Sequence, residues 1–248
     1  MHNMWNGFVC EEFTFDGRDA IIVFPDTPAE NSKIVLKTEY WNAFPDVEIN
    51  LLKSGHHLAY IKNRTRFATK EDCDTKAAFI KFLAAKYKLS EKCIPVGMSC
   101  GGAHAVRFAG YYPELIACMY IDAPVLNFCD FPGKWDGDKR DNVWDREFVL
   151  AYPGIKHYQL LNFPHHPINM ADTLIKNRIP IIMVYGLEDS TVIYEENGKL
   201  LAEAFEGTDL LKVIAVNARG HHPHGLLNHG PTIDNTEIVQ FLLAHSGN

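Results

Sequence analysis

Between residues 11 and 25 lie two short strand-like runs, Glu12-Phe13-Thr14-Phe15, which alternates polar and apolar side chains, and Ala20-Ile21-Ile22-Val23-Phe24, which is apolar throughout, and Asp16-Gly17-Arg18 joins them. An Asp-Gly pair between such runs predicts a hairpin, because the tight turn needs residues that tolerate positive φ. Lys33 to Lys37 then reads as a strand, Asn42 to Lys53 as an amphipathic helix and Leu58 to Ile61 as a further strand. A long helix is predicted over residues 70–88, with Ala77, Phe79, Ile80, Phe82, Leu83 and Ala84 on its apolar side. It leads into the apolar run Cys93-Ile94-Pro95-Val96-Gly97-Met98, after which the small, apolar segment from Gly101 to Tyr112 predicts a buried helix stopped by Pro113.

Hydrophobicity from Ile116 to Ile121 is continuous rather than alternating, as expected of a strand covered on both faces, which means a parallel sheet with helices on either side. The rhythm breaks over residues 125–178, where a loop-like stretch is followed by helical segments rich in aromatic residues. This region reads as an insertion over one end of the sheet, too poor in strands to build its own core, so residues 1–248 are expected to form a single domain. Strands return at Ile179 to Tyr185 and Leu211 to Val216, with a helix between them from about Ile193 to Phe205 and a last helix from about Asp234 to Ala244. There is no internal repeat.

Composition narrows the class of function. The net charge of −7 over 248 residues argues against a nucleic-acid partner, which would need a basic surface. Lys70, Lys76, Lys81, Lys86 and Lys88 form a local basic set, but they recur at helical spacing and read as a solvated helix face. No apolar run is long enough to span a membrane. The start, Met1-His2-Asn3-Met4-Trp5, has neither the basic segment nor the apolar core of a signal peptide, so a cytoplasmic location is expected. Six cysteines without Cys-x-x-Cys spacing read as small core residues in a reducing compartment, not as a disulfide framework or zinc site.

The candidate chemistry starts at Gly97-Met98-Ser99-Cys100-Gly101, which lies where the strand passes into the helix. A serine hydroxyl is a poor nucleophile until a base takes its proton, and a sharp strand-to-helix turn exposes it at the top of a sheet where a histidine can reach it. Glycines on both sides are required sterically. Two later strands end in Gly186-Leu187-Glu188-Asp189 and in Asn217-Ala218-Arg219-Gly220-His221, so serine, acid and histidine follow one another in chain order, each just past the carboxyl end of a predicted parallel strand.

With these residues the chain resembles the α/β-hydrolase superfamily over about residues 11 to 245, and most of all small serine esterases and acyl-peptidase-like hydrolases whose histidine motif reads Gly-His-His-Pro-His. The resemblance implies a mostly parallel sheet of about eight strands, the first antiparallel, and a serine hydrolase that forms an acyl-enzyme on Ser99. The short insertion with its tryptophans and polar groups points to a small or medium polar carboxylic ester, such as an acetylated sugar, as the small-molecule substrate. The alternatives are a peptidase, a perhydrolase if His224 is the base, or a non-catalytic ligand-binding relative of the same fold. Asp189 would orient the histidine, with Glu188 and Asp122 as rivals, Asp122 because some members carry the acid at that earlier strand end. His221, four residues past the last strand-like run, is the expected base, with His224 as its rival, while His222 is expected to point elsewhere. Backbone N–H groups of Cys100 and of Glu39 or Tyr40 would hold the oxyanion; Lys37-Thr38-Glu39-Tyr40 stands where the superfamily usually has His-Gly. No cofactor is implied, and three neighbouring histidines without further ligands at set spacing do not imply a metal. The Cys100 thiol is expected to pack away from the cleft, and Trp135, Trp144, Tyr152 and Tyr158 read either as a platform for a sugar ring or as packing of the insertion.

Overall fold

The computed structural model describes residues 3–129, 143–223 and 234–247. Nine strands form one sheet in the order β1-β2-β3-β5-β4-β6-β7-β8-β9. β2 (Phe8–Phe15) is antiparallel to both β1 (Asn3–Trp5) and β3 (Arg18–Val23), and β3 is antiparallel to β5 (His57–Ile61). From there β5, β4 (Ile34–Lys37), β6 (Cys93–Met98), β7 (Met119–Asp122), β8 (Ile181–Gly186) and β9 (Leu211–Val216) are all parallel. The expected hairpin is present, with Asp16 and Gly17 both at positive φ (51° and 70°). Among the described residues the mostly parallel sheet, expected with about eight strands, has nine, since Asn3–Trp5 adds an edge strand too short to show a period.

The parallel strands are joined through helices, as required to return the chain to the same edge. α1 (Asp46–Lys53) connects β4 to β5, and α2 (Lys70–Tyr87) connects β5 to β6. α3 (Cys100–Tyr111) follows β6, α6 (Gly198–Ala204) lies between β8 and β9, and α7 (Thr236–Ser246) closes the chain. Several elements are shorter than their hydrophobic pattern predicts. β7 begins at Met119, with Ile116 making only an isolated bridge to Cys93, and the helix expected from about residue 193 is a 3-10 turn at Tyr194–Glu196 followed by α6.

Two apolar layers bury the sheet. On one face Ile22, Leu36, Ile61 and Ile121 meet Phe79, Ile80 and Leu83 of α2 and Val106 and Phe108 of α3. On the other, Val35, Leu58, Ile94 and Val184 meet Leu51 and Leu52 of α1 and Ile238 and Leu242 of α7. A third cluster gathers Phe67, Phe128, Phe148, Leu160 and Phe163 against Cys100 and Ala103, so α4 (Val143–Ala151) and the turns after it pack over the start of α3, while Ala171 and Leu174 of α5 (Ala171–Lys176) join the first layer. Trp135 lies outside the described residues. Tyr152 belongs to the packing, donating to the Phe67 carbonyl (3.0 Å); Trp144 stacks under Arg66 (3.7 Å), and Tyr158 is exposed.

The lysine set is not uniformly solvated: Lys70, Lys81, Lys86 and Lys88 are exposed, whereas Lys76 is 1% exposed and faces inward with Asp72 and Thr75. No helix among the described residues is long and apolar enough to cross a membrane. All six cysteines are free thiols, five of them buried.

Leu36 is fully buried at the centre of the sheet. Leu36→Ala is expected to destabilise the fold by about 2–5 kcal/mol, the usual cost of the lost transfer energy plus a cavity, read as a lower urea midpoint at unchanged slope.

Candidate active site

Ser99 sits between β6 and α3 with φ 55° and ψ −122°, a backbone conformation that costs a non-glycine residue roughly 1–3 kcal/mol and persists only where the surroundings over-determine it. Here they do. The Ser99 N–H donates to the Asp122 carbonyl (2.9 Å), and its own carbonyl accepts from the N–H groups of Gly102 (2.9 Å) and Val125 (3.0 Å). The turn is so tight that a Cβ on Gly97 would lie 2.2 Å from the Gly101 carbonyl oxygen. The predicted need for glycine before the serine is therefore a direct backbone contact. The Ser99 residue as a whole is 5% exposed.

Asp189 and His221 are brought together. The Asp189 carboxylate accepts from His221 Nδ1 (2.8 Å) through Oδ2 and from the Thr191 and Val192 N–H groups (2.8 and 3.0 Å) through Oδ1. One carboxylate thus orders its own turn and orients the imidazole, with the proton on Nδ1 and the Nε2 lone pair left as the basic site. Burial alone would push the Asp189 carboxyl up, but the His221 hydrogen bond and charge, with the two amides, outweigh it and hold the group below the usual carboxylate range. Gly186 permits this meeting, because a Cβ there would fall 2.2 Å from the Arg219 carbonyl oxygen. Among the described residues no hydrogen bond joins Ser99 to His221; β7 and β8 separate the strands that carry them.

The rivals are placed elsewhere. Glu188 is exposed. Asp122 is 1% exposed at the end of β7 and pairs with Arg219, while accepting from the Tyr120 hydroxyl (2.7 Å). Arg219, itself 1% exposed, also donates through Nε to the His222 carbonyl (3.4 Å), so this buried ion pair ties the histidine loop to the strand beside the serine. The pattern of the sequence did not single out Arg219, although an arginine directly before Gly-His, in a chain with an acid at the neighbouring strand end, is the available signal. His222 packs its ring against Phe44 (5.5 Å between centroids). His224 lies outside the described residues.

The loop after β4 reaches the same turn. Thr38 places its hydroxyl 2.7 Å from the Gly101 carbonyl and its N–H 3.0 Å from the Val96 carbonyl, joining the loop to both sides of Ser99. The backbone nitrogen of Glu39 lies 3.6 Å from where a Gly101 Cβ would stand. None of the Glu39, Tyr40 and Cys100 N–H groups donates a hydrogen bond to the described residues. Lys37 holds the loop from its other side, pairing with buried Glu48 and donating to the Ala43 carbonyl (2.9 Å). Burial pushes the Glu39 carboxyl up, against the lowering effect of a hydrogen bond from Asn63. The Cys100 thiol is 1% exposed and pushed by burial up to about 12, the state of an inert packed cysteine. Among the described residues, no three His, Cys, Asp or Glu side chains are grouped to hold a metal ion.

Two outcomes follow from these buried charges. Arg219→Met, which strands the Asp122 carboxylate, is expected to cost about 3–5 kcal/mol, and Asp122→Leu added to it should restore most of that loss in urea unfolding. A carboxyl with a depressed folded pKa contributes stability above its unfolded value of about 3.9 and loses it as the pH falls through the folded value. Asp189→Asn should therefore flatten the acid limb of the stability curve between about pH 5 and pH 2, measured by urea midpoints at stepped pH.

No protein-family model matches the sequence, and no curated protein matches it. Solved structures do. The acylaminoacyl peptidase of Pyrococcus horikoshii superposes with a TM-score of 0.72 at 12% identity, covering 97% of this chain and 42% of that one. The S-formylglutathione hydrolase from Agrobacterium tumefaciens gives 0.63 at 13%, covering 100% and 98%. An α/β hydrolase enzyme from the sediment metagenome of the Mar Chica lagoon, Morocco, gives 0.54 at 15%, covering 94% and 96%. The chain spans little more than a third of the length of the first structures it matches, 36% of a puromycin hydrolase among them. The parallel sheet, the strained serine between β6 and α3 and these shared backbones lead to one conclusion: the chain has the α/β-hydrolase fold.

Proposed function

We propose that the protein is a serine hydrolase that forms an acyl-enzyme on Ser99, with His221 as the base and Asp189 as the residue that orients it. The observation that carries this reading is the conjunction of a strained, fully clamped Ser99 at the end of β6 with the Asp189–His221 hydrogen bond past the ends of β8 and β9. Strain of this kind is retained where it presents a side chain for chemistry. In the reaction, His221 Nε2 takes the Ser99 proton as Oγ attacks the carbonyl carbon. The leaving group departs with that proton, and water then cleaves the acyl-enzyme with the same histidine as base. Asp189 stabilises the imidazolium that forms in each half. The N–H groups of Cys100 and of Glu39 in the β4 loop hold the oxyanion; the Glu39 nitrogen lies 3.6 Å from where a Gly101 Cβ would stand, which brings its peptide to the Ser99 turn.

For the substrate we propose a small or medium polar carboxylic ester, an acetylated sugar being one form of it. The nearly covered Ser99 and the aromatic cluster packed over α3 favour a short acyl group over a long lipid chain. Peptide cleavage is the second reading, favoured by the acylaminoacyl peptidase and dipeptidyl peptidase 4 among the structures of similar backbone. His224 as the base, with perhydrolase chemistry, finds no support in the Asp189–His221 pairing.

A fluorophosphonate probe is expected to label the protein, and Ser99→Ala to abolish both labelling and ester hydrolysis, a loss of roughly 10⁴-fold or more in kcat. Asp189→Asn should retain labelling but lower kcat by about 10³ to 10⁴-fold. With p-nitrophenyl esters, acetate and butyrate are expected to exceed octanoate in kcat/KM; the reverse order would overturn the short-acyl reading. Folded wild-type protein that resists the probe would overturn the hydrolase reading itself.

A further inference from the structure

Lys76 stands on α2 with 1% of its surface exposed, and no step of the proposed reaction uses it. Its ammonium donates to Asn63 Oδ1 and to His104 Nδ1 (3.2 Å). His104 is wholly buried, and its Nε2–H donates to the Thr65 carbonyl (3.0 Å), which leaves Nδ1 as an acceptor. Burial pushes the Lys76 ammonium down and the His104 imidazole well down, so the imidazole is neutral beside the lysine. Asp72, one turn earlier on α2, is occupied by Arg18, by the Arg64 N–H (2.9 Å) and by the Thr69 hydroxyl (3.0 Å).

The consequence falls on Asn63, in the loop after β5. Its Oδ1 faces the ammonium, so its Nδ2 must face the other way, where it donates to the Thr38 carbonyl (2.6 Å) and to Glu39 Oε2. The reverse orientation would set NH₂ against NH₃⁺ and a carbonyl oxygen against two acceptors, so chemistry alone fixes it. The Thr38 carbonyl and the Glu39 N–H belong to one peptide unit. In a trans peptide these two groups point in opposite directions, and the chain has no cis bond among its described residues. Pulling the carbonyl toward Asn63 therefore turns the Glu39 N–H away from Asn63, and the Glu39 nitrogen lies 3.6 Å from where a Gly101 Cβ would stand, beside the Ser99 turn.

We propose that Asn63, held in one orientation by buried Lys76, is a positioning residue that aims the Glu39 N–H as the second oxyanion donor. This inference rests on the serine-hydrolase reading above. Asn63 touches no reacting atom; it acts through the Thr38–Glu39 peptide. Sequence inspection gives no sign of the arrangement, because its four side chains come from four separate segments and Lys76 reads as one of a row of surface lysines.

Asn63→Asp is the test, since it keeps the side-chain size and the contact with Lys76 but presents an oxygen to the Thr38 carbonyl and the Glu39 carboxylate. With p-nitrophenyl acetate, kcat is expected to fall about 10 to 100-fold with KM within about twofold, the mark of an interaction made in the transition state. Inhibition by 2,2,2-trifluoroacetophenone, which forms a tetrahedral adduct bearing an oxyanion, should weaken by a similar factor. Asn63→Ala, which adds no charge, should act in the same direction and serves if the aspartate variant fails to fold. A folded variant with lowered thermal stability but unchanged kcat and inhibitor affinity would overturn the inference and leave Asn63 a structural residue. Absence of fluorophosphonate labelling in the wild-type protein would instead remove the hydrolase reading on which the inference stands.

Discussion

The structure depends on a backbone held against its own preference. Ser99 adopts a conformation that its Cβ disfavours, and it stays there because its N–H and C=O are both committed to neighbours that cannot move independently. The N–H is held by the end of β7, the carbonyl by α3 and by the loop after β7, and the glycine before the turn touches the Gly101 carbonyl region without room for a side chain. Releasing the strain would mean breaking hydrogen bonds to three elements at once. The serine is thus positioned by the parallel sheet, and the sheet's order decides what stands around it.

Around this turn buried ion pairs anchor the loops. Arg219 with Asp122 secures the histidine loop, Lys37 with Glu48 secures the loop after β4, and Arg18 with Asp72 secures the entry to α2. Such pairs add little net stability, because desolvation takes back most of the Coulombic gain, but a half-pair is costly. Their effect is on geometry. A loop tied by an arginine that must meet one carboxylate has few alternative positions, and reacting groups need placement within fractions of an ångström.

The architecture was largely legible in the chain. Continuous apolar runs at β6, β7 and β8 announce strands covered on both faces, Asp16-Gly17 announces the hairpin, and the serine, acid and histidine each follow a strand end, so a parallel sheet places them along one edge. Local pattern failed where tertiary contact sets the limits. β1 is too short to show a period, β7 gives up its first residues to an isolated bridge, and the helix expected from residue 193 breaks at Asn197, whose side chain is drawn to the backbone of Leu126 and Asn127.

By itself the sequence placed Ser99 at a strand-to-helix turn, because a continuous apolar run leads into Gly-x-Ser-x-Gly and a small, apolar helical segment follows it. The tertiary structure decided the partners. It set Asp189 rather than Glu188 or Asp122 against His221, committed Asp122 to Arg219, and turned Lys76 inward to Asn63 and the Glu39 peptide. The physical reason is one of range: steric and hydrophobic periodicity is written over a few neighbouring residues, whereas a hydrogen bond between residues 189 and 221 exists only once the sheet has brought two strand ends side by side.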